Sequence, residues 1–240
     1  VDTRKPLYEG KAKKLFQSDD PQQLLLEYKD CLTAFNARKK SSVKGKGTLN
    51  NLISALLFEY LSRSGIKTHY IQILDNNRQL VRKTRIIPLE VVVRNVTAGS
   101  LCRRLGVPEG RKIEPALVEF YLKNDDLDDP LVTEDQAMAF GWCTRPEIEQ
   151  MKSTARKVND ILRDLFASKN ILLVDFKIEF GTTIEGELVV ADEISPDTCR
   201  FWDVSSGDSL DKDRFRKDLG NVLEAYEEIW RRLSGKEDEK

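Results

Sequence analysis

Residues Ile171 to Asp203 read ILLVDFKIEFGTTIEGELVVADEISPDTCRFWD, and they restrict the fold more than any other stretch of the chain. Asp175, Lys177 and Glu179 recur at every second position, with Val174, Phe176, Ile178 and Phe180 between them. Successive side chains of a strand point to opposite faces, so this spacing predicts three ionisable groups on one face and four apolar ones on the other. Gly181 to Gly186 should then turn the chain into a second strand, Glu187 to Asp192, ending in the acid pair Asp192 and Glu193. A half-buried strand with a solvated polar face would show the same alternation. The charged, proline-containing continuation through Ser195, Pro196, Asp197, Arg200, Trp202 and Asp203 points further, because such loops on a rigid scaffold often carry function. Carboxylates beside a lysine suit Mg2+ and a phosphate together, since Mg2+ typically binds through one or two carboxylates plus substrate phosphates.

At 240 residues the chain has room for one large domain or two small ones. Its 39 basic and 40 acidic residues nearly cancel, so no global field draws it to nucleic acid or to an anionic membrane, and any phosphate affinity must be local. Cys31, Cys102, Cys143 and Cys199 are scattered without a CxxC pair, which argues for reduced thiols rather than a zinc site or a disulfide framework. The one histidine, His69, sits in the strand-like KTHYIQIL with no acidic residue near it in sequence, so a Cys-His nucleophile pair is not expected. The first residues do not read as a signal peptide and no apolar run is long enough for a membrane span, so a cytoplasmic protein is expected.

The opening PLYEGKAKKLF alternates around Gly10, with LLLEY as its partner strand. A glycine turn followed by Lys11 and Lys13 can fold over a triphosphate, although GxxxxGK[ST] is absent; an ordinary hairpin with exposed lysines reads the same way. Asn36 to Gly47 is basic and lacks the rhythm of a helix or strand, which leaves an anion-contacting loop and a solvated connection both open. Leu49 to Leu61 carries a helical stripe stopped by Gly65, and KTHYIQIL and RQLVRKT form a hairpin around Asn76-Asn77. IIPLEVVVRN follows, with Glu90 and Arg94 on one face of an apolar strand, where they would form a buried salt bridge or serve a site. SLCRRLG opens a short helix at Ser100. LVEFYLKNDDLDDP is a strand ending in an acidic turn, a soluble connection or a second source of metal ligands. Thr144 to Glu147 has capping-box spacing for a helix carrying Met151, Val158, Leu162 and Phe166, and a last helix is expected from about Asp211 to Leu233, before a fraying GKEDEK tail.

PLEVVVRNVTAGS at 88 to 100 and LVDFKIEFG at 173 to 181 resemble the two signature segments of the phosphoribosylaminoimidazole-succinocarboxamide synthase (SAICAR synthetase) family. LYEGKAKKLF, KNDDLDDP, ADEISPDTCRFWD and DKDRFR resemble the same family, so the likeness runs from about Leu7 to Leu233. It implies an α+β, two-lobed fold with mixed, mainly antiparallel sheets, similar to the ATP-grasp and protein-kinase arrangement. Residues 1–84 would form a β-rich nucleotide lobe and 85–240 a larger substrate and metal lobe. The implied activity is ligation of L-aspartate to carboxyaminoimidazole ribonucleotide, driven by ATP through an acyl phosphate, in purine biosynthesis. ATP and Mg2+ are the implied cofactors, the partners are small molecules rather than nucleic acid or membrane, and a homo-oligomer, a homodimer, is expected.

Carried over by matching motif, the resemblance puts Lys11, Lys13 and Lys123 on the nucleotide phosphates and the adenine against the backbone near Val81 and Arg82. Glu179 and Asp192 would hold the nucleotide Mg2+, with Glu90 and Asp129 on a metal near the substrate carboxylate. Arg94, Ser100, Lys177 and Arg200 would surround the imidazole carboxylate and ribose phosphate, with Glu90 and Asp197 beside them. Lys177, Arg94 and Asp175 would be the catalytic group, Asp175 and Asp197 orienting cations or substrate rather than abstracting protons. No role is assigned to Asn36, where the family pattern varies. A small-molecule kinase on a related two-lobed fold is the alternative, and an RNA-contacting module built on the 36–47 stretch a more distant one.

Overall fold

The computed structural model describes residues 5–34 and 38–235. Asn36 and the tail beyond Gly235 lie outside the described residues. In chain order the elements are β1 (Tyr8–Glu9), β2 (Lys13–Gln17), β3 (Gln23–Tyr28), β4 (Cys31–Ala34), β5 (Lys39–Ser42), α1 (Lys46–Arg63), β6 (Tyr70–Ile73), β7 (Arg78–Arg82) and β8 (Arg85–Val96). They continue as α2 (Ser100–Leu105), β9 (Lys112–Leu122), β10 (Leu131–Val132), α3 (Glu134–Ala139), α4 (Arg145–Ala167), β11 (Ile171–Thr182), β12 (Leu188–Ala191), β13 (Cys199–Asp203), α5 (Asp213–Arg216) and α6 (Val222–Ser234). The fold is α+β with antiparallel sheets, as the sequence predicts.

One five-stranded sheet has the order β1-β2-β3-β7-β6, and a six-stranded sheet runs β10-β9-β8-β11-β12 with β13 also paired to β11. The chain passes between them from Arg82 to Arg85. The first 84 residues are nevertheless not a closed packing unit, because Ile53, Leu57, Phe58 and Leu61 of α1 sit in the main core with the larger sheet and α6. Helix α4 lays Met151, Val158, Leu162 and Phe166 on that sheet, behind Thr144, whose side chain accepts from the Glu147 amide while Glu147 caps in return.

The central strand, β11, departs from plain alternation. Its register against β13 slips between Leu173 and Asp175, so Ile171 and Leu173 join the main core before the slip and Phe176, Ile178 and Phe180 after it. The bulge adds one residue and reverses the parity of the faces. Val174 therefore does not share the core face of Phe176 but packs with Val96, Ala98 and Trp202. Nor is the polar face solvated: Asp175 and Glu179 are 3% and 4% exposed.

Two further expectations change. The basic stretch before α1 is partly regular, since Lys39 to Ser42 pairs with Cys31 to Ala34 and Lys46 already belongs to the helix. The last helix is broken into α5 and α6, with Asp218, Gly220 and Asn221 at positive φ and Leu219 exposed between them. A left-handed residue cannot continue a right-handed helix, and the apolar spacing alone does not show this interruption.

Candidate active site

The polar face of β11 meets two clusters of opposite balance. At one end the Lys177 ammonium donates to Glu90 at 2.9 Å, Glu179 at 2.9 Å and Asp192 at 3.1 Å. Strand pairing makes this convergence: Glu179 is opposite Glu90 on β8 and opposite Ala191 on β12, so the hairpin brings Asp192 alongside. Lys123, just past β9, pairs with Glu179, and Lys13 on β2 pairs with Asp192 and with Glu193, the latter at 3.0 Å. Burial alone would pull the Lys177 and Lys13 ammoniums down, but the surrounding carboxylates outweigh it and hold both well above the ordinary lysine range. Asp192 is the mirror case, driven up by burial but held well below the usual carboxylate range by Lys13, Lys177 and Lys123. Glu90 is pushed up, chiefly by burial, against the pull of Lys177.

At the other end, Arg94 is buried and gives Nε to Glu119 at 2.6 Å and Nη1 to Asp175 at 2.8 Å. Its Nη2 reaches the Ser100 hydroxyl at 3.3 Å and the Tyr121 hydroxyl at 3.1 Å. Arg200 holds the same Asp175, with Nη1 at 2.9 Å, and places Nε on Asp213 at 2.9 Å. Arg216 closes on Asp213 at 2.6 Å, and Arg104 pairs with Glu119. Gly99 makes this approach possible, because at φ 58° a side chain is disfavoured and a Cβ there would lie 2.4 Å from Arg200 Nη2. Arg94 and Glu90 do share a strand face, yet each pairs elsewhere rather than with the other.

Between the two clusters lies a cleft of about 210 Å³ whose wall includes Glu90, Arg94, Ser100, Lys177, Asp197 and Arg200. Asp197 is reached from below by Lys46, which is fully buried, and by the Tyr226 hydroxyl at 2.7 Å. Burial pushes Asp197 up, but Lys46 and Lys212 outweigh it and hold the carboxyl low. At neighbouring Asp211 the balance goes the other way: burial and Asp213 push it up to about 7, against the pull of Arg200 and of the amides it accepts from Phe201 at 2.8 Å and Asp213 at 2.7 Å. Burial likewise pulls Lys212 down to about 8.

Some expected residues stand apart from this cleft. Lys11 is part-exposed and pairs with Asp125 at 2.6 Å. Val81 is buried with Leu26 and Tyr28 on the smaller sheet, and the Arg82 side chain points to Glu187 at 3.3 Å. The amides of Arg82 and Lys83 are already given to His69 and Gln22, so a base lying there would have to use other backbone groups. Asp129 takes the Asn124 amide at 2.8 Å and lies near enough to raise Glu90 slightly. Among the described residues no three Asp, Glu, His or Cys side chains are arranged to hold a metal by themselves. Glu90, Glu179 and Asp192 converge on the Lys177 ammonium instead, so a hard cation seated there would have to take most of its ligands from phosphates.

Sequence reasoning passed over Lys46, Glu119, Tyr121, Asp213 and Arg216. Lys46 lies in a lysine-rich stretch with nothing to single it out, and Glu119 and Tyr121 lie in a strand whose sequence names no partner for them. The motif DKDRFR contains Asp213 and Arg216, but spacing gives no partner for either.

The SAICAR synthetase family profile matches residues 6–233. A phosphoribosylaminoimidazole-succinocarboxamide synthase of Clostridium botulinum is 53% identical over 228 residues, covering 95% of this chain and 97% of that protein. The crystal structure of the corresponding synthase from Ehrlichia chaffeensis superposes with a TM-score of 0.94 at 45% identity, over 98% of this chain and all of that one. A SAICAR synthetase solved in complex with ADP gives 0.93 at 51% identity, over 97% and 99%. With the profile, the sequence likeness and the fold in agreement over nearly the whole length, the chain belongs to the SAICAR synthetase family.

Proposed function

We propose that this cleft joins L-aspartate to carboxyaminoimidazole ribonucleotide while ATP is converted to ADP and phosphate. Membership in the family makes the chain an ATP-dependent carbon–nitrogen ligase of purine biosynthesis. The observation that carries the residue roles is the cleft itself, whose wall joins a carboxylate-rich lysine cluster to an arginine cluster along one strand. A carboxylate is a poor electrophile, so one of its oxygens first attacks the γ-phosphorus and the bond to ADP breaks. The aspartate amine then attacks the acyl carbon, inorganic phosphate leaves, and the amine gives up a proton. Both steps depend on positioning and charge neutralisation.

Lys177, held protonated, neutralises the substrate carboxylate and does not act as a base. Arg94, Arg200 and Ser100 seat the phosphoribosyl group, with Asp175 fixing both guanidiniums from behind and Asp197 beside them. Lys13, Lys123 and Lys11 take the nucleotide phosphates, with the base against the smaller sheet near Val81 and Arg82. Glu179 and Asp192 would hold Mg2+, and Glu90 with Asp129 would face a metal at the substrate carboxylate. When bound, that cation supplies charge neutralisation of the transferring phosphoryl. Residues 1–84 thus serve the nucleotide and 85–240 the substrate and metal. A cytoplasmic homodimer completes the reading, in accord with the fact that no described helix is long and apolar enough to cross a membrane.

The test is a coupled ADP assay with each substrate omitted in turn. ADP release requiring both aspartate and the ribonucleotide, with amide product in equal amount, is the expected result. ADP release without aspartate and without amide would instead establish a kinase.

A further inference from the structure

Lys46 has no part in the ligase roles above, yet it lies under the substrate cleft. It opens α1, within the 1–84 part of the chain that serves the nucleotide, and it is fully buried. Its ammonium donates to Asp197 Oδ2, and the buried Tyr226 hydroxyl on α6 donates to Oδ1 of the same carboxylate at 2.7 Å. The backbone around Asp197 is pinned as well. Its amide donates to the Ser195 hydroxyl at 3.1 Å, that hydroxyl donates to Glu193 at 2.6 Å, and the Pro196 carbonyl accepts the Lys212 amide at 3.0 Å. Asp197 shares the cleft wall with Arg94, Ser100 and Arg200, whereas Lys46 and Tyr226 do not line it.

Packing alone does not account for this trio. Inward positions further along α1, Ile53, Leu57, Phe58 and Leu61, are apolar and join the main core with Ile229 and Leu233 of α6. A buried ion pair gives up hydration that its own attraction often fails to repay, and apolar residues of similar volume in its place are often neutral or stabilising. What an apolar trio cannot supply is a carboxylate in the cleft wall with each oxygen fixed by a buried donor. A carboxylate oxygen has two acceptor sites, so Oδ1 and Oδ2 each keep one for a ligand that donates.

We infer that Lys46 is a positioning residue for the ribonucleotide: with Tyr226 it holds the Asp197 carboxylate in one orientation, as an acceptor for the sugar hydroxyls beside the arginines. The inference rests on the reading of Asp197 as a ribonucleotide contact and deepens it, because it makes α1 the floor of the substrate site.

The measurement is KM for the ribonucleotide, ATP and aspartate in the coupled ADP assay, taken well below the melting temperature of each variant and alongside thermal melts. Asp197→Asn should raise KM for the ribonucleotide about tenfold and Lys46→Met about three- to tenfold, while KM for ATP and for aspartate stays within about twofold. Tyr226→Phe should shift it the same way by about threefold. In the Asp197→Asn background Lys46→Met should raise it no further, because the lysine acts through the aspartate; a further rise would overturn the inference. An unchanged KM in Asp197→Asn would reject the role of Asp197. A raised KM there with an unchanged one in Lys46→Met would reject only the positioning. So would a fall in kcat alone, the mark of a lost folded fraction, or equal shifts in all three KM values. Should Lys46→Met not melt cooperatively, Tyr226→Phe decides, and an unmoved ribonucleotide KM in that variant would overturn the inference.

Discussion

The two ends of β11 bury similar numbers of charges to opposite effect. Around Lys177, the ammoniums of Lys13, Lys123 and Lys177 face the carboxylates of Glu90, Glu179, Asp192 and Glu193, so negative charge is in excess. Around Arg94, the guanidiniums of Arg94, Arg104, Arg200 and Arg216 form ion pairs with Glu119, Asp175 and Asp213, so in the pairs made by the described residues positive charge is in excess. The lysine end is left wanting a cation and the arginine end an anion. Residue type fits the same division: lysine is a mobile point charge that can trade partners, whereas the arginine fork fixes direction. A divalent cation and a sugar phosphate would each offset one imbalance, and the nucleotide phosphates bring negative charge that such a cation must also meet.

Breaking the lysine end should have the largest effect. Lys177→Ala is expected to lower kcat by about 10²–10³-fold in the coupled ADP assay, the loss typical of a removed electrostatic stabiliser. Near-normal turnover in a variant with normal melting would dissolve the contrast. Next comes Arg94→Lys, which keeps the charge and loses the fork. Its kcat/KM for the ribonucleotide should fall about 10²-fold while KM for ATP moves less than about twofold, and equal shifts in both would mean the ends are not separate.

Lys46→Met asks whether the floor of the cleft is electrostatic. Leaving Asp197 buried with the Tyr226 hydroxyl and the field of Lys212 but without its paired ammonium should cost about 3–5 kcal/mol in urea unfolding, as for other buried pairs that lose one member. A loss below about 1 kcal/mol would mean that solvent or Lys212 takes over. Glu179→Gln should raise the half-saturating magnesium concentration about tenfold, and an unmoved titration would remove it from the metal set.

The smallest effect concerns pH. Asp211 rises to about 7 on folding from an ordinary 3.8, so between these values the folded state binds the extra proton. Stability should therefore fall as pH rises from about 4 to 7, and Asp211→Asn should flatten that slope by about 2–4 °C in melting temperature. A parallel slope in the variant would place the proton elsewhere.

How far the sequence could be read follows the range of the interactions. The β11–β12 hairpin was legible because alternation and a glycine-bounded turn are local, and so was the capping box at Thr144. The bulge at Val174 was not, since it depends on how β11 registers against β13. The break between α5 and α6 was hidden behind apolar residues at helical spacing, of which Leu219 turns out exposed. Lys46 shows the limit most plainly, because its partner Asp197 lies 151 positions away.

The sequence by itself determined the α+β class, the strand bearing Asp175, Lys177 and Glu179, and, through its signature segments, the family. Those properties rest on periodicity and on side chains whose chemistry is present in any conformation. Only the tertiary structure decided which cation each acid meets, and that Arg94 turns to Asp175 and Glu119 rather than Glu90. Burial and charge pairing are long-range, and their sign at a given residue is set by neighbours that the linear order does not place beside it.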